Sequence, residues 1–231
     1  SRRRVKEVQK YCLRSEFKNT GFSYTMGVDG IEKFVSTREI RGEDKIDSDP
    51  LPPGQLFTYS PGEGEVGPCL YRIECSASKG SNVRILNNPV SPGFRESTDI
   101  ARTYLSANFS KLLGDKNPRD YEISVQLRAM DNDQSGRGIG LGTMIAFASA
   151  VSERSIRGGL VIVGDLTAGG GFNSLMQPTS IVEAAVERGV NTILMPTTAR
   201  KQLADLDDDT AARVTIDYYR NPDEAFQKAI G

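Results

Sequence analysis

The chain has 231 residues, of which 38% are hydrophobic and 26% are charged, and its formal net charge is −1. This composition is typical of a soluble globular protein with one substantial hydrophobic core, and it excludes an intrinsically disordered chain. No apolar run approaches the roughly 20 residues that span a bilayer, and no apolar segment follows the charged N-terminus, so neither a membrane anchor nor a signal peptide is expected.

Histidine is absent from the sequence. Its absence excludes Ser-His-Asp and Cys-His catalysis and any metal site with histidine ligands. Acid–base chemistry in this chain would have to use Asp, Glu, Lys, Tyr or Cys side chains. Most of the familiar hydrolase mechanisms are therefore excluded.

The cysteines, Cys12, Cys69 and Cys75, are odd in number and lack the spacing of metal ligands. We therefore expect reduced thiols and a cytoplasmic location. No metal site and no cofactor site is expected within this chain.

Two charged clusters are interpreted as solvated surface. The acidic run at 205–209 lacks the glycine and the closing glutamate of a calcium-binding loop. The basic run at 2–10 could meet phosphates, but the rest of the chain is net acidic. Nucleic-acid binding by the isolated chain is not expected.

The first 53 residues are predicted to form a small module of their own. Residues 2–13 are basic and weakly helical, and residues 22–40 alternate as two strands joined by a D-G turn. A polar linker with Pro and Gly follows, which places a boundary near Pro53 and predicts domains at 1–53 and 54–231. Because the chain does not begin with methionine and opens as if within a helix, we expect a piece of a longer protein whose missing part lies upstream.

The second domain alternates between strand and helix periodicity. Its first half is predicted to contain strands at 56–59, 70–76, 83–86 and 121–127 and helices at 95–113 and 141–151. Its second half is predicted to contain strands at 160–166, 172–176, 190–195 and 214–219 and helices at 181–188, 199–206 and from 222 onward. Ser180 and Glu183 are expected to form a capping box, and Asn221 to cap the final helix. The fold class is therefore α+β with an α/β-like second half.

A glycine-rich loop, Q-S-G-R-G-I-G-L-G-T-M at 134–144, leads into the predicted central helix. Such a loop can bind phosphate, but no lysine follows these glycines as in a P-loop, and their alternate spacing does not match the dinucleotide fingerprint. Ser135 and Thr143 flank the glycines without occupying the helix entrance, where a nucleophile would stand. The glycines can equally serve close packing against a neighbouring strand.

Four segments of the second domain occur in a characteristic order. They read L-Y-R-I-E-C-S-A-S-K-G-S-N-V-R-I-L, F-R-E-S-T-D-I-A-R-T-Y-L, V-I-V-G-D-L-T-A-G-G-G-F and E-A-A-V-E-R-G-V-N-T-I-L-M-P. From about Gln55 to Gly231, their order and spacing resemble the C-terminal proteolytic domain of Lon-type ATP-dependent proteases. The resemblance implies a Lon protease-type domain with mixed sheets and packed helices, preceded by the small β-hairpin module.

The resemblance also implies where the catalytic residues of the family would stand. Lon-type domains use a Ser-Lys dyad, with the serine at the entrance of the central helix and the lysine at the start of a later helix. Counting without gaps places the serine position on Gly138 and the lysine position on Thr179. A glycine carries no nucleophile and a threonine is no base near neutral pH, so peptidase activity is not expected from these residues.

Two functional hypotheses follow. In the first, the domain is an assembly or interaction module of an ATPase ring. In the second, it is an active ATP-dependent serine endopeptidase with a displaced dyad, for which Ser135 is a substitute nucleophile and Lys111 or Lys201 a substitute base. A hydroxyl within hydrogen-bond reach of a lysine amine would favour the second.

Within the larger group, the pattern is most similar to the Lon-like proteins of bacterial phage-exclusion (BREX) systems, whose catalytic residues are often degenerate. The hairpin ahead of the Lon-like part favours this branch. The resemblance implies a homo-oligomeric ring, typically hexameric, and an upstream ATPase module that would bind ATP and Mg²⁺.

Overall fold

The structure of the protein is a computed structural model, which describes the backbone of residues 22–27 and 30–36 and the full residues 45–61, 67–131, 135–204 and 206–230. The chain divides into two compact units, residues 1–44 and residues 45–231. In the first, β1 (Phe22–Gly27) and β2 (Gly30–Ser36) pair antiparallel, which confirms the predicted hairpin. The predicted basic helix at 2–13 and Cys12 lie outside the described residues.

The second unit begins at Lys45, ahead of the boundary predicted at Pro53. Ile46 is buried, and its amide donates a hydrogen bond of 3.0 Å to the carbonyl oxygen of Arg188. Leu51 forms an antiparallel bridge with Ile156. These apolar side chains bury surface within the second unit, so the segment that was predicted to be a linker is part of it.

Most strands and helices of the second unit follow the predicted order, but the helix predicted at 199–206 is a 3₁₀ helix, and a short helix at Asp208–Ala211 was not predicted. The strands are β3 (Gln55–Ser60), β4 (Cys69–Lys79), β5 (Val83–Ile85), β6 (Tyr121–Ala129), β7 (Leu160–Ile162), β8 (Thr192–Pro196) and β9 (Thr215–Tyr219). The helices are α1 (Pro92–Ala107), α2 (Phe109–Leu113), α3 (Gly140–Ser152), α4 (Pro178–Glu187), α5 (Asp208–Ala211) and α6 (Pro222–Ala229). Short 3₁₀ helices occur at Pro118–Asp120 and Thr197–Leu203.

These strands form one mixed sheet in the order β5-β6-β4-β3-β7-β8-β9. The β4 strand pairs antiparallel with both β3 and β6, and β5 joins β6 in parallel. The β3, β7, β8 and β9 strands are parallel. The antiparallel first half and parallel second half agree with the predicted α+β class with an α/β-like second half.

Helices pack on both faces of the sheet. One core lies between the sheet and α1, α3 and α6, and includes Phe94, Met144 and Phe226. The other lies between the sheet and α4, and includes Ile181 and Val182. Successive β3 residues enter opposite cores, as the two-residue period of a strand requires.

The central helix α3 is buried from Gly140 to Val151. Its sequence is apolar on all sides, which is the pattern of a helix enclosed within a fold. Gly142 lets it approach β3 closely, because an added Cβ would lie 2.9 Å from Oγ1 of Thr58. The hydroxyl of Thr58 donates in turn to the carbonyl oxygen of Ile162 at 2.8 Å. The buried hydroxyl is therefore hydrogen-bonded where α3 packs against β3 and β7.

Three local predictions differ from the structure. The helix predicted at 95–113 is two helices, separated at Asn108. In place of the strand predicted at 172–176, the structure has only a bridge between Leu166 and Phe172. The capping box is wrong, because α4 begins at Pro178, whose fixed φ suits the first helical turn, and Ser180 therefore lies inside the helix.

Candidate functional site

The glycine-rich loop between β6 and α3 is held by three side chains from other elements. The hydroxyl of Ser91 donates to the carbonyl oxygen of Ser135 at 2.7 Å, and the hydroxyl of Ser97 donates to that of Gly136 at 3.0 Å. The amide of Gly136 donates to the phenolic oxygen of Tyr71 at 3.2 Å. The backbone of this loop is therefore anchored to the start of α1 and to β4.

The glycines of the loop allow close packing. Gly136 has φ +60°, and an added Cβ would lie 2.7 Å from Cδ2 of Leu127 and 2.9 Å from Cβ of Phe94. Gly93 of α1 approaches from the other side, where a Cβ would lie 2.7 Å from the carbonyl oxygen of Ser135. Of the two interpretations left open by the sequence, close packing accounts for this part of the loop.

Gly138 stands just ahead of α3 in a left-handed conformation, with φ +71°. An added Cβ would lie 3.0 Å from Cδ and 3.3 Å from Cγ of Pro61, and 3.8 Å from Cγ of Asp165. Any L-residue here would therefore be strained by its backbone and crowded by Pro61. The position at the helix entrance has no side chain and little room for one.

Asp165 brings a carboxylate next to Gly138. It follows β7, and its Oδ2 accepts a hydrogen bond of 2.9 Å from Nδ2 of Asn173. The amide of Asn173 also donates to the carbonyl oxygen of Asp165 at 2.9 Å. Sequence reasoning missed Asp165 as a member of the site, although a carboxylate within the otherwise apolar run at 160–166 was a signal that could have found it.

Thr179 lies in the first turn of α4, as its position beside the predicted helix start suggested. Its hydroxyl is directed to the carbonyl oxygen of Gln202, at a long 3.5 Å. The residue before the helix, Gln177, takes a left-handed conformation with φ +49°. The three atoms nearest to an added Cβ at Gly138 belong to Pro61 and Asp165, and Thr179 is not among them.

The substitute residues are spread over the domain. Ser135 is half-buried in the loop, where Ser91 binds its carbonyl oxygen. The ammonium of Lys111 forms an ion pair with the carboxylate of Asp223. Lys201 is exposed in the 3₁₀ helix after β8. These three residues therefore lie on separate elements of the fold.

A charged cluster lies where β6 ends ahead of the loop. Asp131 forms an ion pair with Arg188, and its Oδ2 accepts a hydrogen bond of 2.8 Å from the amide of Leu70. Their side chains are 19% and 12% exposed, so the pair is largely shielded from water. Arg188 directly follows α4, and the ion pair therefore connects β6 to the helix that carries Thr179. Burial raises the pKa of the nearby Tyr59 phenol above its ordinary value.

Two further properties bear on function. Within the described ranges, no three acidic or thiol side chains are grouped so that they could hold a metal ion. None of the described helices combines the length and the apolar character that a membrane-spanning segment requires.

Comparison with known families identifies the domain that carries this loop. The family model of the Lon protease (S16) C-terminal proteolytic domain matches residues 30–231, which is most of the chain. The chain belongs to this family. The resemblance read from the sequence is thereby confirmed, and the mixed sheet with packed helices is consistent with a Lon protease-type domain.

Individual Lon-related proteins are similar over much of the chain. The Lon-like protease BrxL of Escherichia coli O9:H4 (strain HS) is 24% identical over 232 residues, which cover 100% of this chain and 33% of that protein. The Lon protease of Lawsonia intracellularis (strain PHE/MN1-00) is 26% identical over 203 residues, which cover 87% of this chain and 24% of that protein. The Lon protease of Endomicrobium trichonymphae is 28% identical over 169 residues, which cover 72% of this chain and 21% of that protein. The chain spans a third or less of the length of these relatives.

Proposed function

We propose that this Lon-type domain is an assembly and interaction module of a larger ATP-dependent protein and does not cleave peptide bonds itself. The proposal rests on Gly138, which occupies the position that the family resemblance gives to the catalytic serine. A peptidase of this type needs a hydroxyl there, activated by a neighbouring base.

The geometry around Gly138 supports this proposal. Its left-handed φ of +71° and the closeness of Pro61 favour glycine at this position. The hydroxyl of Thr179 is directed to the backbone of Gln202, and threonine supplies no amine. The proposal therefore takes both positions of the Ser-Lys dyad to be occupied by residues that fit their local structure.

The ordered loop supports a structural role. Ser91, Ser97 and Tyr71 bind the backbone ahead of Gly138, so the loop keeps a defined shape without a nucleophile. In this proposal the domain forms a tier of a homo-oligomeric, hexameric ring beside an upstream ATPase module that binds ATP and Mg²⁺ in the cytoplasm.

Peptidase activity is tested on the complete gene product. Fluorogenic peptides and casein are incubated with it in the presence and absence of ATP and Mg²⁺, and a serine-directed fluorophosphonate is used to label any activated hydroxyl. We expect neither cleavage nor labelling above that of a heat-inactivated sample.

A substitute nucleophile is tested by a matched pair of variants. Ser135→Ala removes the candidate, and Ser174→Ala removes an exposed serine in the segment between β7 and α4. ATP-dependent cleavage that Ser135→Ala abolishes and Ser174→Ala leaves intact would establish the alternative, an active endopeptidase with a displaced dyad, and would overturn the proposal.

The assembly role is tested by mass. Sedimentation of the complete gene product at micromolar concentration is expected to give a ring-sized particle, and a monomer would contradict this part of the proposal.

A role in phage exclusion, suggested by the similarity to a Lon-like protease BrxL, predicts that deleting the gene raises the plating efficiency of phage on its host.

A further inference from the structure

A second concave site lies on the side of the domain formed by α1, α2 and the start of β6. It is a cavity of about 240 Å³. Its lining includes the side chains of Leu105, Phe109, Ile123 and Phe147, each no more than 5% exposed. Phe147 belongs to the central helix, so the cavity reaches the core of the domain. It shares no residue with the site around Gly138.

The mouth of this cavity is polar and basic. Arg102 of α1 and Arg119 of the 3₁₀ helix ahead of β6 line it, together with Ser81, Asn82 and Ser106. No acidic residue belongs to the described lining. The cavity therefore combines an apolar floor with hydrogen-bond donors and two guanidinium groups at its mouth.

Arg102 and Arg119 differ from the other basic residues of this region. Arg84 pairs with Glu122 at 3.6 Å, and Lys116 donates to the carbonyl oxygen of Val151 at 2.7 Å. Among the described residues, neither Arg102 nor Arg119 forms an ion pair with an acidic side chain. Two guanidinium groups beside one cavity are therefore available to an anion from outside the chain.

We propose that this cavity binds a small organic anion, with its charged head on Arg102 and Arg119 and its apolar body on the phenylalanine-rich floor. Guanidinium groups bind carboxylate and phosphate through paired hydrogen bonds, and a partly enclosed site strengthens such bonds. The volume lies below the roughly 300 to 1,000 Å³ of most ligand pockets, so the ligand is smaller than a typical drug molecule. Two cations match a doubly charged phosphate monoester better than a singly charged carboxylate.

Isothermal titration calorimetry with four probes separates the contributions of head and body. Phenyl phosphate carries both the doubly charged head and the apolar body, and benzoate carries the same body with a singly charged head. Inorganic phosphate carries the head alone, and phenol carries the body alone. Phenyl phosphate is expected to bind at least roughly tenfold more tightly than inorganic phosphate or phenol, and more tightly than benzoate.

Three variants locate the binding. Arg102→Gln and Arg119→Gln are each expected to weaken phenyl phosphate binding by roughly tenfold, as the loss of a charge-assisted hydrogen bond predicts. Arg95→Gln is the control, because Arg95 is exposed on the same helix but does not line the cavity. All three residues are exposed, so the variants are expected to fold, and circular dichroism checks that they do.

Three outcomes would overturn the proposal. If Arg95→Gln weakens binding as much as Arg102→Gln, the anion responds only to surface charge. If phenol binds as tightly as phenyl phosphate, the cavity takes an apolar occupant and the arginines play no part. If none of the probes binds at millimolar concentration, the cavity is no anion site. None of these outcomes bears on peptidase activity, so this proposal and that of the preceding section fail separately.

Discussion

Ser97 and Gly136 are joined by a buried hydrogen bond of 3.0 Å, in which the serine hydroxyl of α1 donates to the glycine carbonyl oxygen of the loop ahead of α3. Ser97 is 4% exposed, so water cannot replace the donor if the hydroxyl is removed. Together with the bond from Ser91, this contact connects the helix that follows β5 to the loop to which the resemblance assigns the nucleophile of a Lon-type domain. It shows how the loop keeps its shape while Gly138 supplies no side chain.

Ser97→Ala is expected to lower the free energy of unfolding by about 1 to 3 kcal/mol, because it leaves the carbonyl oxygen of Gly136 buried without its partner. Denaturant unfolding measures the change. Ser106→Ala is the matched control on an exposed position of the same helix, and a change within about 0.5 kcal/mol is expected there. Equal effects of the two substitutions would show that the contact does not anchor the loop.

Gly138→Ser, which places a hydroxyl at the position that the resemblance assigns to the catalytic serine, is expected to destabilise the domain by about 1 to 3 kcal/mol and to leave it without peptidase activity. The cost arises from the left-handed φ of +71° and from Pro61, 3.0 Å from the added Cβ. Gly169→Ser is the control, because an added Cβ there has no neighbour within 4 Å. A Gly138→Ser variant as stable as the Gly169→Ser variant would show that the loop accepts a side chain, and cleavage of casein by it would show that a base is within reach.

Tyr59→Phe and Tyr219→Phe are expected to change stability in opposite directions. The hydroxyl of Tyr59 is buried without a hydrogen-bond partner among the described residues, so its removal is expected to raise the free energy of unfolding by up to about 2 kcal/mol. The hydroxyl of Tyr219 donates to the carbonyl oxygen of Val163 at 2.6 Å, and its removal is expected to cost about 1 to 3 kcal/mol. Denaturant unfolding of both variants provides the comparison. A stability loss in Tyr59→Phe as large as in Tyr219→Phe would show that the Tyr59 hydroxyl is not an unsatisfied buried group.

Alkaline pH is expected to destabilise the domain through its tyrosines. Burial, reinforced by the charge of Asp223 and a hydrogen bond to it, raises the pKa of Tyr104 from 10.0 to about 12. Because the folded state holds this proton more tightly than the unfolded state, the stabilising contribution is complete below pH 10 and is lost as the pH rises through about 12.

Urea unfolding between pH 7 and 12 tests this dependence. Tyr104→Phe is expected to lose less stability than the unsubstituted protein above about pH 10, while both show the same pH dependence at about pH 7 to 9. An identical loss in both proteins above pH 10 would exclude Tyr104 as a contributor.

Local sequence patterns predicted most of the elements. The alternation at 70–76 and at 121–127 lies within β4 and β6, and the uniformly apolar run at 141–151 lies within α3. Asn221 caps the last helix, as predicted, by accepting from the amide of Glu224 at 2.8 Å. These features arise from residues that are close together in the sequence, so the sequence pattern alone is sufficient to predict them.

The predictions that differ depended on other interactions. A helical period continues through Asn108, but the chain ends α1 there and starts α2. The capping box at Ser180 competed with Pro178, which starts α4 two residues earlier. The strand predicted at 172–176 has only a single bridge, because Thr167 and Gly171 close a tight turn instead of a ladder. In each case a residue with a strong local preference or a tertiary contact overrode the pattern.

The sequence by itself determined which side chains are available: it contains no histidine, and the positions to which the resemblance assigns the Lon-type dyad carry glycine at 138 and threonine at 179. Only the tertiary structure decided which residues surround those positions. Pro61 and Asp165 are distant from Gly138 in the sequence, and they meet it because β3 and β7 are neighbours in the sheet beside α3. Strand order is set by the burial of both faces of the sheet, a property of the whole chain that no local pattern contains.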